Sequence, residues 1–175
     1  DKLEDDLKRR DFSINAMALS FSKGLVDYHN GQKDLMEGII RTVGAPDDRF
    51  GEDALRILRA VRFYSQLGFV VSHETEKSIL ENGHLLLNIS KERIRDEFVK
   101  VVMSERPMDG ILLMKKLNIL QYILPELLDC VDVEQNKAHS FDVFEHLLRS
   151  LQHSAVKNYP LEVRLSALFH DISKP

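Results

Sequence analysis

The spacing of apolar residues changes about a quarter of the way along the chain. Before that point, short apolar runs alternate with turn signals, which predicts a β-hairpin over residues 13–28 with its turn at Lys23-Gly24. A short helix over residues 32–37 and a strand over residues 39–43 are predicted to follow. The start of the chain therefore predicts a small unit that contains β-structure.

After Pro46, apolar residues recur at helical spacing, which indicates a series of amphipathic helices. Ser72 and Ser90 stand where helix N-caps would lie, and Gly68 stands where a helix would end. Helices are predicted over residues 54–67, 73–82, 91–103, 107–117, 141–155 and 161–169. Pro125 is expected to interrupt the segment after residue 117. The predicted fold class is mainly α.

Composition narrows the class of protein. The 175 residues carry a net charge of −4, and 43% of them are hydrophobic, which is enough for a core. The single cysteine, Cys130, excludes a disulfide framework and a cysteine-based zinc cluster. We expect no membrane association and a cytoplasmic location, because no apolar run approaches the roughly 20 residues of a membrane span and no signal peptide is evident. The ends, Asp1 and Pro175, suggest part of a longer protein.

Arg9-Arg10-Asp11 is the first of two charged stretches that stand among apolar residues. A guanidinium fork suits phosphate oxygens, and a neighbouring carboxylate can accept a hydrogen bond from a ribose hydroxyl. The alternative is a surface ion pair at the entrance of a strand, and spacing alone favours that alternative.

The second charged stretch runs from Glu52 to Arg62. On a helix, Asp53 and Arg56 would be neighbours at i, i+3, with Arg59 on the following turn. Cytosine and adenine present an amino donor beside a ring-nitrogen acceptor, whereas uracil and guanine present the opposite order. A fixed carboxylate and guanidinium would therefore select C and A. The alternative is a Glu52–Arg56 salt bridge on a solvated face, and spacing alone does not decide between the two.

Histidines cluster near the carboxyl end, at His139, His146, His153 and His170, and the last of these is followed by Asp171. A lone histidine is usually an ordinary surface or core residue. A His-Asp pair with another histidine on a preceding amphipathic helix is a better metal signal, because imidazole and carboxylate ligands suit a divalent ion.

In chain order, several motifs resemble those of bacterial class II tRNA nucleotidyltransferases, which are the CCA-adding enzymes and their poly(A) polymerase relatives. These motifs are Arg9-Arg10-Asp11-Phe12 with Asn15-Ala16-Met17, then Asp27 and residues 31–35, then Glu52-Asp53-x-x-Arg56, and finally residues 92–97. In addition, residues 144–147 and 165–174 resemble the opening of an HD-type phosphohydrolase domain.

The resemblance implies that six residues bind a nucleotide: Arg10, Asp11, Asp53, Arg56, Arg59 and Arg62. The first two would contact the sugar and the triphosphate, the next two would read the base, and the last two would be further nucleotide-binding arginines on the same helix. By the same resemblance, Arg93 and Glu97 would brace the neck rather than take part in catalysis.

The resemblance also implies two kinds of metal. His146, His170 and Asp171 would bind a divalent ion at an HD-type site that is incomplete in this chain. Mg²⁺ would be the cofactor of the full-length transferase, held by carboxylates that we expect upstream of Asp1. The chain itself is therefore expected to contain no catalytic residue and not to add nucleotides alone.

The implied fold has four parts. An incomplete mixed α/β nucleotidyltransferase head would occupy residues 1–45. A helical neck, which includes the nucleotide-recognition helix, would occupy residues 46–103. A helical, RNA-binding body would occupy residues 104–137. The truncated start of an HD domain would occupy residues 138–175.

The expected function is template-independent addition of C and A to RNA 3′ ends, with CCA addition to tRNA from CTP and ATP as the leading case. The alternatives are a poly(A) polymerase of the same family and an HD-type metal-dependent phosphohydrolase. A helical RNA-binding module is a third possibility. Residues 71–137 carry nine basic against twelve acidic residues, which argues against strong non-specific RNA binding by this stretch alone.

Overall fold

The computed structural model describes residues 2–22, 24–133 and 141–175. The helices are α1 (Lys2–Lys8), α2 (Gly31–Glu37), α3 (Pro46–Glu52), α4 (Leu55–Leu67), α5 (His73–Asn82), α6 (Lys91–Val102), α7 (Pro107–Lys116), α8 (Pro125–Asp129), α9 (Val143–Val156) and α10 (Leu161–Phe169). The strands are β1 (Met17–Ser20), β2 (Gly24–Asp27), β3 (Ile39–Ile40) and β4 (Val70–Val71). The described part of the chain is thus mainly α, as predicted.

The antiparallel strand pair of the hairpin is confirmed, but it begins later than predicted, and Lys23 of the predicted turn lies outside the described residues. β1 pairs with β2 in antiparallel register, whereas residues 13–15 form a 3₁₀ turn. The strand predicted over residues 39–43 is shortened to β3, which pairs in parallel with β4. Residues 41–43 bond instead to the segment after α1, through Ser13 N to Arg41 O and Val43 N to Asp11 O, both at 2.9 Å. These bonds hold Asp11 in a buried position beside the helical part.

The placement of Asp53 on a helix with Arg56 was wrong. α3, which the sequence analysis did not predict, ends at Glu52, and Asp53 adopts an extended conformation with φ −155° and ψ 100°. Its carboxylate Oδ1 accepts a hydrogen bond from Leu55 N at 3.1 Å. An aspartate in this position satisfies a donor in the first turn of a helix. Asp53 therefore separates α3 from α4 and stabilises the start of α4.

Local signals predicted the other helix ends well. Gly68 ends α4 with φ +69°, a left-handed conformation that glycine adopts without steric cost. The hydroxyls of Ser72 and Ser90 accept hydrogen bonds from backbone N–H groups in the first turns of α5 and α6. Pro125 is a correction, because it begins α8 instead of interrupting a helix, as proline in the first turn permits.

One apolar core runs through the described residues, from Phe12 near the hairpin to Leu168 on α10. α10 is also fixed to the end of α6 by Arg164, whose buried Nη1 donates to the carbonyl oxygens of Val102 and Ser104 at 3.0 and 2.8 Å. The four predicted parts thus share a single core, and their boundaries stay predictions. None of the helices in the described ranges combines the length and apolar character needed to cross a membrane.

A substitution at Gly31 would test the close contact between α2 and the 3₁₀ turn. A Cβ at this position would lie 2.2 Å from the backbone oxygen of Ser13 and 2.9 Å from Cγ of Met17. Gly31→Ala should therefore lower the free energy of unfolding by about 1–3 kcal/mol, measured by urea denaturation. Gly51→Ala is the control, since nothing lies within 4 Å of its Cβ position. It should leave stability unchanged or raise it by up to about 1 kcal/mol. Equal effects of the two changes would contradict this account.

Candidate functional site

A cleft of about 280 Å³ lies between the segment that follows α1 and the amino end of α4. It is lined by Arg9, Arg10, Asp11, Asp53, Leu55, Arg56, Arg59 and Arg93. Five arginines thus face two aspartates, although the whole chain carries a net charge of −4. Such a local excess of positive charge attracts anionic ligands. The cleft brings together five of the six predicted nucleotide-binding residues.

Arg56 is held in the cleft by three hydrogen bonds. Its Nη1 donates to Arg49 O at 3.1 Å and to Glu52 Oε2 at 2.8 Å, and its Nη2 donates to Arg9 O at 3.0 Å. The Glu52–Arg56 salt bridge, which was the alternative interpretation of this motif, therefore forms. Two of the five N–H groups, one on Nε and one on Nη2, have no partner among the described residues and remain available to a ligand.

Asp53 presents its carboxylate to the same cleft. Oδ1 is bonded to Leu55 N, and Oδ2 accepts from Arg93 Nη2 at 2.8 Å. Asp53 and Arg56 are both described, and they form no ion pair with each other. The two side chains line one cleft, and each is oriented by other groups, so an acceptor and a donor are held in place independently.

Asp11 and Arg59 form an ion pair at the floor of the cleft. Arg59 Nε donates to Asp11 Oδ2, while Oδ1 accepts from Phe12 N at 3.0 Å and from Asn15 Nδ2 at 2.7 Å. Burial alone would raise the pKa of the Asp11 carboxyl, but the Arg59 guanidinium and these N–H donors outweigh it and hold the pKa below its ordinary value. Asp11 is therefore ionised at neutral pH, and the terminal nitrogens of Arg59 bond to no group in the described part of the chain.

Arg10 lines the mouth of the cleft and is half exposed. Its Nη2 donates to Asp6 Oδ2 at 3.0 Å, an i, i+4 contact with the exposed side of α1. Exposed pairs of this kind are weak. Arg10 can therefore give up its bond to Asp6 and bind a more highly charged anion at little cost in free energy.

Arg62 does not line the cleft. Its Nη1 bonds to both carboxylate oxygens of buried Glu97, at 3.1 and 2.9 Å, and its guanidinium lies 4.6 Å from the centre of the Phe63 ring. The reason is the helical repeat, because each step of three residues turns the side chain by about 60° around the axis. Two such steps carry Arg62 about 120° away from Arg56 and towards α6. The pair joins α4 to α6, which fits the bracing role expected of Glu97.

Glu52 and Arg49 are parts of the site that sequence reasoning did not assign to it. Glu52 bridges Arg49 and Arg56, at 2.5 and 2.8 Å. Arg49 Nη1 also donates to Lys8 O at 3.0 Å, which ties α3 to the end of α1. The i, i+4 spacing of Glu52 and Arg56 signalled one of these contacts. The contact of Arg49 with Lys8 joins residues far apart in sequence, and no local sequence pattern predicts it.

A second cluster lies where α9 meets the end of α10. His146 Nε2 and His170 Nε2 are 3.1 Å apart, and Asp171 Oδ2 lies 3.7 Å from the first and 3.4 Å from the second. The structure thus brings the three predicted metal ligands together. His153 is exposed on α9 and is not part of the cluster, and His139 lies outside the described residues.

The donor atoms of this cluster suit a divalent cation. One ligand atom from each residue lies within 4.8 Å of the others, and His170 Nδ1 is 3.0 Å from the carbonyl oxygen of Ala167. That contact favours the tautomer with the lone pair on Nε2. Lys174 Nζ lies 2.6 Å from Asp171 Oδ2, and this hydrogen bond holds the pKa of the carboxyl below its ordinary value. Lys174 therefore occupies an oxygen that a metal would use.

Two family models match the chain. Residues 1–41 match the poly A polymerase head domain, and residues 68–130 match the probable RNA and SrmB-binding site of polymerase A. Among relatives, the chain is 43% identical to the CCA-adding enzyme of Lactiplantibacillus plantarum over 127 residues, 73% of this chain and 31% of that enzyme. It is 56% identical to the Bacillus subtilis CCA-adding enzyme over 100 residues, 57% of this chain and 25% of that enzyme.

The fold of this chain is also similar to solved structures of CCA-adding enzymes and tRNA nucleotidyltransferases. The Bacillus stearothermophilus CCA-adding enzyme in complex with CTP superposes with a TM-score of 0.70 at 31% identity, over 97% of this chain and 47% of that one. A tRNA nucleotidyltransferase complexed with a primer tRNA and an incoming ATP analogue gives 0.75 at 28% identity, over 98% of this chain and 50% of that one. This chain therefore spans half or less of the length of each of these four proteins.

The separate roles of Arg62 and Arg59 can be tested together. Arg62→Met leaves Glu97 buried with Lys100 as its remaining ion-pair partner, and should lower the free energy of unfolding by about 3 kcal/mol. Because Arg62 lies outside the cleft, affinity for nucleoside triphosphates, measured well below the melting temperature, should change less than about twofold. Arg59→Met should weaken that affinity instead. A large loss of affinity in Arg62→Met would contradict the assignment.

Proposed function

We propose that this chain, which matches poly A polymerase family models over residues 1–41 and 68–130, is the nucleotide-selecting part of an enzyme that adds C and A to tRNA 3′ ends. The observation that carries this proposal is the cleft in which Asp53 and Arg56 stand with four further arginines. CTP and ATP are the proposed substrates, and no nucleic-acid template is needed.

Base selection is assigned to Asp53 and Arg56. Asp53 Oδ2 accepts from the exocyclic amino group of cytosine or adenine, and the unpaired N–H groups of Arg56 donate to the adjacent ring nitrogen. Uracil and guanine place a carbonyl oxygen against the carboxylate and an N–H against the guanidinium. Both contacts are then repulsive, and buried polar groups left unpaired are costly.

Sugar and triphosphate binding is assigned to Arg10, Asp11 and Arg59. The unpaired terminal nitrogens of Arg59 and the exposed guanidinium of Arg10 suit phosphate oxygens, because a planar guanidinium can bond two of them at once. Ionised Asp11 accepts a hydrogen bond from a ribose hydroxyl. Arg62 serves this site only indirectly, through the packing of α4 on α6.

The cleft does not suit Mg²⁺. Its two acidic residues, Asp11 and Asp53, are each bonded to an arginine, and these arginines repel a divalent cation. Mg²⁺-dependent transfer needs carboxylates free to hold the ion. We propose that other parts of the whole enzyme supply them and that the present chain alone binds nucleotides without transferring them.

RNA is proposed to reach this cleft along the helical part, since residues 68–130 match an RNA-binding family model. The acidic balance of residues 71–137 argues that this contact depends on shape and a few placed cations rather than on general electrostatic attraction. A poly(A) polymerase would use the same residues, and it differs in taking ATP alone.

Isothermal titration calorimetry with the four nucleotides tests the proposed selection. CTP and ATP should bind at least about tenfold more tightly than UTP and GTP. Arg56→Ala should reduce this discrimination more than it reduces overall affinity, whereas Arg10→Ala should weaken all four nucleotides alike. Equal affinities in the unmodified chain would refute the base assignment, and preference for ATP alone would favour a poly(A) polymerase.

The convergence of His146, His170 and Asp171 favours a second candidate function. We propose that these residues bind a divalent metal at the start of an HD-type domain, where such an ion would activate water for phosphoester hydrolysis. The set holds two imidazoles and one carboxylate, and the Lys174 ammonium now lies on that carboxylate. Metal binding by this chain is therefore expected to be weak.

Titration with Mn²⁺ checks this site. His170→Ala should lower Mn²⁺ affinity by at least about tenfold, because it removes one of three ligands. His153→Ala is the matched control, since His153 is an exposed histidine on α9 outside the cluster. It should leave the affinity unchanged. If both variants bind Mn²⁺ as the unmodified chain does, the cluster is not a metal site.

A further inference from the structure

Arg93 joins the start of α6 to the carboxylate of Asp53 across the surface of the cleft. Its Nη2 donates to Asp53 Oδ2 at 2.8 Å, although the two residues lie 40 positions apart in sequence. The backbone of Arg93 is fixed as well, because Ser90 caps this turn of α6. The guanidinium thus extends from a rigid helix end to the base-selecting carboxylate.

Arg93 and Asp53 together separate two cavities. Both residues line the cleft already described, and both line a neighbouring cavity of about 370 Å³ whose lining also includes Leu85, Asn88 and Ile89. The Asp53 side chain is about one-third exposed, at 32%, and its carboxylate faces open space. Its orientation therefore depends on the groups that bond to its oxygens.

Two bonds set the orientation of Asp53. Leu55 N holds Oδ1, and Arg93 holds Oδ2. An ionised carboxylate oxygen accepts more than one hydrogen bond, so Oδ2 can accept from Arg93 and from an amino group of a ligand at the same time. Without Arg93, the single hydrogen bond from Leu55 N is the remaining restraint, among the described residues, on rotation of the carboxylate about the Cβ–Cγ bond.

We propose that Arg93 is a positioning residue for base selection, which acts by holding Asp53 Oδ2 where an exocyclic amino group of C or A will meet it. This inference rests on the proposed function. It assigns to Arg93 a role in specificity, in addition to the bracing of the neck. It requires no contact between Arg93 and the base.

Arg95 provides a matched control on the same helix. Its Nε and Nη2 donate to Asp96 Oδ1 at 3.0 and 2.7 Å, both residues are exposed, and neither lines the cleft. The Arg93–Asp53 pair is also solvent-exposed on the arginine side. Exposed pairs contribute little to folding, so loss of either arginine should leave the chain folded.

The experiment is a calorimetric titration of CTP, ATP, UTP and GTP at one ionic strength, with the unmodified chain, Arg93→Gln, Arg93→Lys and Arg95→Gln. In Arg93→Gln, the ratio of CTP affinity to UTP affinity should fall about tenfold, the size expected when one charge-assisted hydrogen bond is lost. Arg93→Lys retains the charge on a side chain that is one bond shorter, so it should retain overall affinity and leave the ratio reduced. Arg95→Gln should retain the unmodified ratio.

A double-mutant cycle separates positioning from simple charge. In an Asp53→Asn background, Arg93→Gln should cause no further loss of discrimination, because the carboxylate that it positions is gone. An unchanged ratio in Arg93→Gln, or an equal weakening of all four nucleotides, would overturn the inference and leave the proposed function standing. If the unmodified chain shows no preference or no binding, the proposed function fails and the inference fails with it.

Discussion

The burial of one side of α4 is the constraint on which the candidate site depends. Ile57, Leu58 and Val61 have no exposed surface, and they lie in the core that runs through the described residues. Because the helix is rigid, fixing this side fixes the direction of every other side chain on it. Arg56 and Arg59 are therefore directed into the cleft by apolar residues that do not themselves line it.

Concentrating five arginines in one cleft is unfavourable unless their charge is partly compensated. Asp11, Asp53 and Glu52 each bond to at least one of these guanidinium groups, and the carbonyl oxygen of Arg9 accepts from Arg56. The same contacts tie the segment after α1 to α3 and α4. The positive cleft therefore forms only when these segments are packed together, and its geometry depends on their relative position. An excess of positive charge remains for a ligand.

Sequence patterns predicted the features that are local. Helical spacing, the capping serines and Gly68 gave most of the helical part, and motif chemistry selected five residues that the cleft brings together. Two placements differ from the prediction, and in both the side chain also bonds to a residue far away in sequence. Asp53 leaves the helix because its carboxylate bonds to Leu55 N and to Arg93, a residue 40 positions away. Arg62 has the right chemistry, but the helical repeat turns it towards Glu97.

α6 connects the two candidate sites mechanically. Arg93 lies in its first turn and bonds to the Asp53 carboxylate, whereas its last turn receives Arg164 from α10, the helix that ends at the histidine cluster. Twelve residues of helix span about 18 Å, which exceeds the screening length of about 8 Å at physiological ionic strength. Charge at one end of α6 is therefore screened from the other. Movement of α10 would instead reach the cleft through α6, because Arg164 fixes these two helices to each other.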